Sequence, residues 1–114
     1  MIDREKFNET YKHYGREILV DIIGLWEADY DSRIAELTKN IAERNFKALD
    51  DTAHSFKGTV VNFYYPEPVK FAYLLERMGK KEISDDGIED IFEQLKVSSD
   101  KLLIELKQHL KTIS

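Results

Sequence analysis

The chain has 114 residues, 42% of them hydrophobic and 34% charged, and a formal net charge of −5. That suits one folding unit with enough apolar surface for a core, and its acidity argues against a nucleic-acid partner, because phosphate binding needs a basic face. There is no cysteine, which excludes disulfides, thiolate metal centres and cysteine nucleophiles and fits a reducing compartment.

The start, Met1-Ile2-Asp3-Arg4-Glu5-Lys6, lacks the apolar core of a signal peptide, and no apolar run nears the ~20 residues of a membrane span. A cytoplasmic protein without membrane contact is expected, as a monomer. With only two prolines and five glycines, long helices are favoured over many short strands. Residues 4–14 read as a short helix carrying Phe7, Tyr11 and Tyr14, with Asp3 as N-cap and Gly15 as a stop or bend.

Residues 16–44 carry a long helical stripe of Leu19, Ile23, Trp26, Tyr30, Leu37 and Ile41, with Ile34 nearby. Ile18 and Leu25 fall off that stripe. They are expected to pack under the first helix, the alternative being an exposed docking surface. Gly24 marks a place where this helix can bend. Asn45 is a break and a new N-cap, and the next helix covers about 46–64. It ends at Tyr64-Tyr65-Pro66-Glu67-Pro68, since a residue before proline is driven out of the α region. A helix follows over 67–80, with Val69, Phe71, Ala72, Leu75 and Met78 apolar. Gly79 with Lys80 and Lys81 reads as its C-terminal cap. Asp86 and Glu89 resemble a capping box for the last helix. Its stripe is Ile88, Ile91, Phe92, Leu95, Leu102, Leu106, Leu110 and Ile113, with Ser99 at one stripe position. No strand, repeat or low-complexity segment is evident. The expected fold is all-α: an antiparallel up-down four-helix bundle with an additional short N-terminal helix, residues 1–114 forming a single domain.

One stretch stands apart, His54-Ser55-Phe56-Lys57-Gly58. Around it, Leu49, Ala53, Phe56, Val60 and Phe63 form one helical stripe. At about 100° per residue, His54 lies roughly 140° from the stripe centre, Lys57 roughly 80° and Gly58 roughly 180°. His54 and Gly58 therefore face outward with Lys57 beside them. An imidazole near neutral pH can act as a nucleophile, and a cation one turn on can meet an anion held there. A glycine inside a helix costs ~1 kcal/mol. At an outward position it leaves room for a phosphoryl group or a partner's backbone. The plain reading is two solvated polar residues and a tolerated glycine.

The run Ala53-His54-Ser55-Phe56-Lys57-Gly58-Thr59 resembles the signature of the histidine-containing phosphotransfer (HPt) domain: histidine, two residues, lysine, glycine. Asn62, Phe63 and Leu75-Glu76 fit the pattern downstream. The family fold is an antiparallel four-helix bundle with its histidine exposed in mid-helix. The resemblance implies that His54 takes a phosphoryl group from an aspartyl phosphate on a receiver domain and passes it to another, in a two-component phosphorelay. Lys57 would offset the phosphate charge and Gly58 would permit close approach. Glu76 would orient the imidazole or sit at the rim. Partners would be receiver domains of response regulators or hybrid sensor kinases, and Mg²⁺ would belong to the receiver, leaving this chain without a cofactor. Phe56 replaces the family's common leucine, and Tyr64 stands where glycine is frequent, which touches the path between the two helices. Met1 and the full set of helices favour a protein that stands alone.

His13, in the first helix, and His109 have no metal-pair spacing and are expected as solvated surface groups. Asp50 and Asp51 share part of the His54 face as solvating charges. Asp29-Tyr30-Asp31 and Asp85-Asp86 lack calcium-loop spacing. Tyr64 and Tyr65 are expected to pack at the end of the bundle. With no phosphate loop or kinase motif, the chain is expected to be a phosphoryl carrier rather than an ATP-dependent enzyme. The alternative is an HPt-like helical module that binds receivers or another partner without phosphotransfer. A hydrolytic or metal-dependent enzyme is the third reading.

Overall fold

The computed structural model describes residues 1–83 and 87–112. They form five α-helices: α1 (Arg4–Tyr11), α2 (Arg16–Ala42), α3 (Phe46–Val60), α4 (Pro66–Lys81) and α5 (Gly87–Thr112), with a 3-10 turn at Val61–Phe63 and no strand among the described residues. The chain is all-helical. Helix α3 packs on α4, α4 on α5, α5 on α2 and α2 on α3. The four share one core of fully buried side chains, among them Ile23, Leu37, Leu49, Phe56, Leu75, Leu95, Leu102 and Leu106. Trp26 is its aromatic centre, meeting Phe56 edge-on at 5.1 Å and Tyr30 at 5.4 Å between ring centroids. Such pairs add about 0.5–1.5 kcal/mol beyond area burial.

Helix starts follow the cap chemistry. Asp3 accepts from the Lys6 N–H and Asn45 from the Ala48 N–H, each satisfying a backbone donor that the first turn leaves orphaned. Pro66 opens α4, after an extended Tyr65, as the steric bar before proline requires. Asp86 of the expected Asp86–Glu89 capping box and the stripe residue Ile113 lie outside the described residues.

Helix α1 is shorter than expected, leaving His13 in the turn beyond it. It lies across the end of the other helices. Tyr11 Oη donates to the Asn62 carbonyl at 2.9 Å, the Asp3 N–H donates to the Tyr64 carbonyl at 2.7 Å, and Phe7 meets the His109 ring edge-on at 4.9 Å. His109 is thus half-buried rather than solvated. Because α1 is committed to these partners, it does not cover Ile18 or Leu25, which stay 45% and 72% exposed. The expectation that both pack beneath α1 is corrected.

Two further features concern backbone, and the second corrects an expectation. The link between α3 and α4 turns on Tyr64, which takes the left-handed conformation itself, φ 58 and ψ 41. A residue other than glycine there costs about 1 kcal/mol or more. Tyr64 is held by its carbonyl's bond to Asp3 and by Oη on Thr10 Oγ1 at 2.7 Å, while Tyr65 is buried. Gly79 is not the left-handed cap of α4, because that role falls to Glu82, φ 54 and ψ 41. Gly79 is buried within the helix, where α4 crosses α3. A Cβ on it would stand 2.7 Å from the Asp50 nitrogen and 2.9 Å from the Phe46 carbonyl oxygen. The missing side chain lets two backbones touch.

Gly79→Ala is therefore expected to lower the unfolding free energy by about 1–3 kcal/mol, read from urea denaturation. A variant as stable as the wild type would refute the close contact.

Candidate functional site

The contact at Gly79 sets what lies beside it. Asp50 precedes His54 by one helical turn on α3, and Gly79 follows Glu76 by about one turn on α4. With the two backbones touching, the next turn along brings His54 against Glu76. His54 Nδ1 stands 3.1 Å from Glu76 Oε2. Lys57 Nζ stands 2.9 Å from the same oxygen and 3.3 Å from Oε1. The burial is graded: the His54 side chain is 69% exposed and that of Glu76 only 7%. A base of one buried carboxylate carries an imidazole in solvent.

Burial alone would push the Glu76 carboxyl up, but the hydrogen bonds from Lys57 and then His54 outweigh it and hold the carboxyl below its usual range. Glu76 is thus ionised at neutral pH, and an ionised carboxylate only accepts hydrogen bonds. The His54 nitrogen that faces it must therefore carry the proton. In the neutral ring the lone pair is left on Nε2, the atom on the ring edge away from Glu76. Lys57 neutralises the carboxylate and also lies 5.4 Å above the Tyr73 ring centroid, which limits its wandering.

Gly58 lies on the exposed side of α3, and a Cβ there would meet nothing within 4 Å. No internal packing demands this glycine. What its bareness leaves is open space one turn from His54.

Other groups hold α3 in place. Arg33 on α2 is hydrogen-bonded to Ser55 and paired with Asp29. Asn40 Nδ2 donates to Thr52 Oγ1 at 2.9 Å. Asn62 closes the helix by donating to the carbonyls of Gly58 and Thr59 at 3.3 and 3.2 Å. Asp50 and Asp51, expected as solvating charges, are paired with Lys80 and Lys47 at 3.2 Å each. Beyond Gly58, a cleft of about 480 Å³ opens among Val61, Tyr64, Pro66, Val69 and Tyr73.

The structure thus brings His54, Lys57 and Glu76 together and leaves Gly58 beside them, open to solvent. Sequence reasoning missed Tyr73 and Arg33. Tyr73 was within reach, since it sits three residues before Glu76 on the same face of α4. Arg33 had no such signal, because its partner Ser55 is on another helix. Among the described residues no group of His, Asp and Glu side chains is placed to hold a metal ion, and no helix is long and apolar enough to cross a membrane. No family model, curated protein or solved structure matches the chain.

A carboxyl held below its usual value stabilises the fold above that value and loses the contribution as pH falls through the lowered one. Relative to Glu76→Gln, the wild type is expected to lose stability as pH drops from the ordinary carboxylate value of 4.5 through the lowered one. Urea unfolding of both proteins at pH 6 and pH 3 gives the difference. A difference independent of pH would contradict the ionised, paired Glu76.

Proposed function

We propose that this chain is a phosphoryl carrier in a phosphorelay. His54 Nε2 accepts a phosphoryl group from an aspartyl phosphate on a receiver domain and gives it to the aspartate of another. The observation that carries the reading is the pairing of His54 Nδ1 with ionised Glu76 at 3.1 Å, on a side chain that is otherwise in solvent. We read the cycle of helix contacts as the antiparallel up-and-down four-helix bundle of the HPt family, with α1 added across one end.

The transfer balances without a proton relay. The Nε2 lone pair attacks phosphorus, the N–P bond forms, and the bond from phosphorus to the aspartate oxygen breaks. The aspartate carboxylate leaves with the electron pair. The ring becomes cationic in the step, and its Nδ1–H already faces the carboxylate that stabilises that charge. Lys57 keeps Glu76 neutralised, so the buried carboxylate does not repel the incoming phosphoryl group, which arrives on the opposite ring edge. Such a transfer needs mainly positioning and charge stabilisation, which a rigid helix pair supplies. Mg²⁺ belongs to the receiver's acidic pocket in this reading.

Gly58 and the apolar cleft beyond it favour a partner that sits flat over α3 and α4. Val61 and Tyr73 are 50% and 45% exposed there, and an apolar collar of this kind suits a protein surface better than a solvated face. The second reading, a module that binds without transfer, draws on exposed Leu25 and Ile18 on α2.

A set of receivers carrying labelled aspartyl phosphate is expected to label the wild type with an acid-labile, base-stable phosphate and to leave His54→Ala unlabelled. Persistent label on His54→Ala, or no label on the wild type from any receiver, would end the phosphorelay reading. Receiver binding unchanged by His54→Gln, with no transfer, would establish the binding module instead. Gly58→Ala is expected to gain up to ~1 kcal/mol of stability while its transfer slows by about tenfold, equivalent to ~1.4 kcal/mol in the barrier. Unchanged transfer would remove Gly58 from the docking face.

A further inference from the structure

A second cleft lies away from His54. Helix α1, the start of α2 and the end of α5 enclose about 690 Å³, within the range of small-molecule sites. Its charge runs against the chain's. The protein has 22 acidic and 17 basic residues, yet Arg4, Lys12, Arg16 and His109 line this cleft and no Asp or Glu does. Lys12 is paired with Glu9 at 2.7 Å. Among the described residues neither the Arg4 nor the Arg16 guanidinium has a carboxylate partner.

The backbone adds to this. Gly15, the N-cap of α2, provides no side-chain cap. The Gly15 carbonyl accepts from Ile18 and Leu19, which leaves the N–H groups of Arg16 and Glu17 for another acceptor. A helix of 27 residues presents its positive pole there. The last described turn of α5 reaches the same cleft at Thr112, and its helix pole carries a partial negative charge that acts against the basic side chains there.

The wall is aromatic. Phe7 and Tyr11 rings are 4.9 Å apart, Tyr11 and Tyr14 5.7 Å, and Phe7 meets His109 at 4.9 Å. Tyr14 lines the cleft and is 49% exposed. Cations with an uncapped helix start suit a phosphate, and an aromatic wall suits a planar ring.

We propose that this cleft binds a small phosphorylated metabolite bearing a planar ring, the chemistry of a mononucleotide. The phosphate sits between Arg4, Arg16 and the first turn of α2, and the ring lies against Tyr11 and Tyr14. A concave site on a chain of net charge −5 fits a small ligand rather than a membrane surface or a nucleic-acid strand. The His109 imidazole is held below its ordinary value by burial and then by Arg4, so an anion bound beside it is expected to raise that value.

The probes are AMP and inorganic phosphate, titrated into the full chain and followed by NMR. AMP is expected to bind saturably, at least about tenfold tighter than phosphate. It is expected to shift the Arg16 and Glu17 amides and to move the His109 titration upward. The Arg4→Ser/Arg16→Ser double variant is expected to weaken AMP by about tenfold or more with its circular dichroism and melting temperature unchanged. The proposal falls if AMP gives no saturable shift up to roughly 10 mM, or binds no tighter than phosphate. It falls too if AMP keeps its affinity in the double variant, or if anionic phosphatidylserine vesicles or single-stranded DNA bind this face while AMP does not.

Discussion

The site depends on a carboxylate placed between two helices that touch. Glu76 is buried on α4 and contributes no partner for itself there; both donors, His54 and Lys57, come from α3. An ionised group taken from water is costly unless its lone pairs are met. The approach that meets them is the backbone contact at Gly79. The register of α3 against α4 is thereby tied to the tautomer of one imidazole. A slip of either helix would strand the carboxylate and free the ring together.

This coupling explains how an exposed histidine can be specific. A surface imidazole normally samples both tautomers and many rotamers. Here one edge is anchored by a buried group, and the other edge alone meets solvent. The supports are all at a distance from the ring. Arg33 and Asn40 hold α3 from the α2 side through Ser55 and Thr52, and Asn62 closes the end of α3. The left-handed Tyr64 then reverses the chain into α4. Its backbone cost is offset by two hydrogen bonds to the N-terminal segment, which gives α1 a structural task apart from any covering of α2.

Much of the helical layout was legible in the chain itself. Periodicity located every long helix, because each buries one face, and Asp3 and Asn45 announced their helix starts by cap chemistry. His54, Lys57 and Gly58 were legible as an outward group, since facing follows from angle alone. What stayed hidden was pairwise. Gly79 looked like a cap because a glycine near lysines at a helix end fits that pattern; only the neighbouring α3 reveals it as a crossing point. His109 looked solvated because its partner Phe7 is 102 residues away in the sequence. Ile18 and Leu25 were assigned to α1, whose direction no local pattern encodes. Glu76 was legible only as a residue that would orient the imidazole or sit at the rim, because its pairing exists only across two helices.

The central claim is that ionised Glu76 fixes the proton of His54 on Nδ1 and leaves Nε2 as the reacting atom. Long-range ¹⁵N–¹H correlation spectra of the imidazole at about pH 8.5, where a free ring is neutral, report this directly. The account predicts a protonated Nδ1 and an unprotonated Nε2 for His54, with that preference lost in Glu76→Ala. A ring protonated mainly on Nε2, or a mixture of tautomers unchanged by Glu76→Ala, would contradict it.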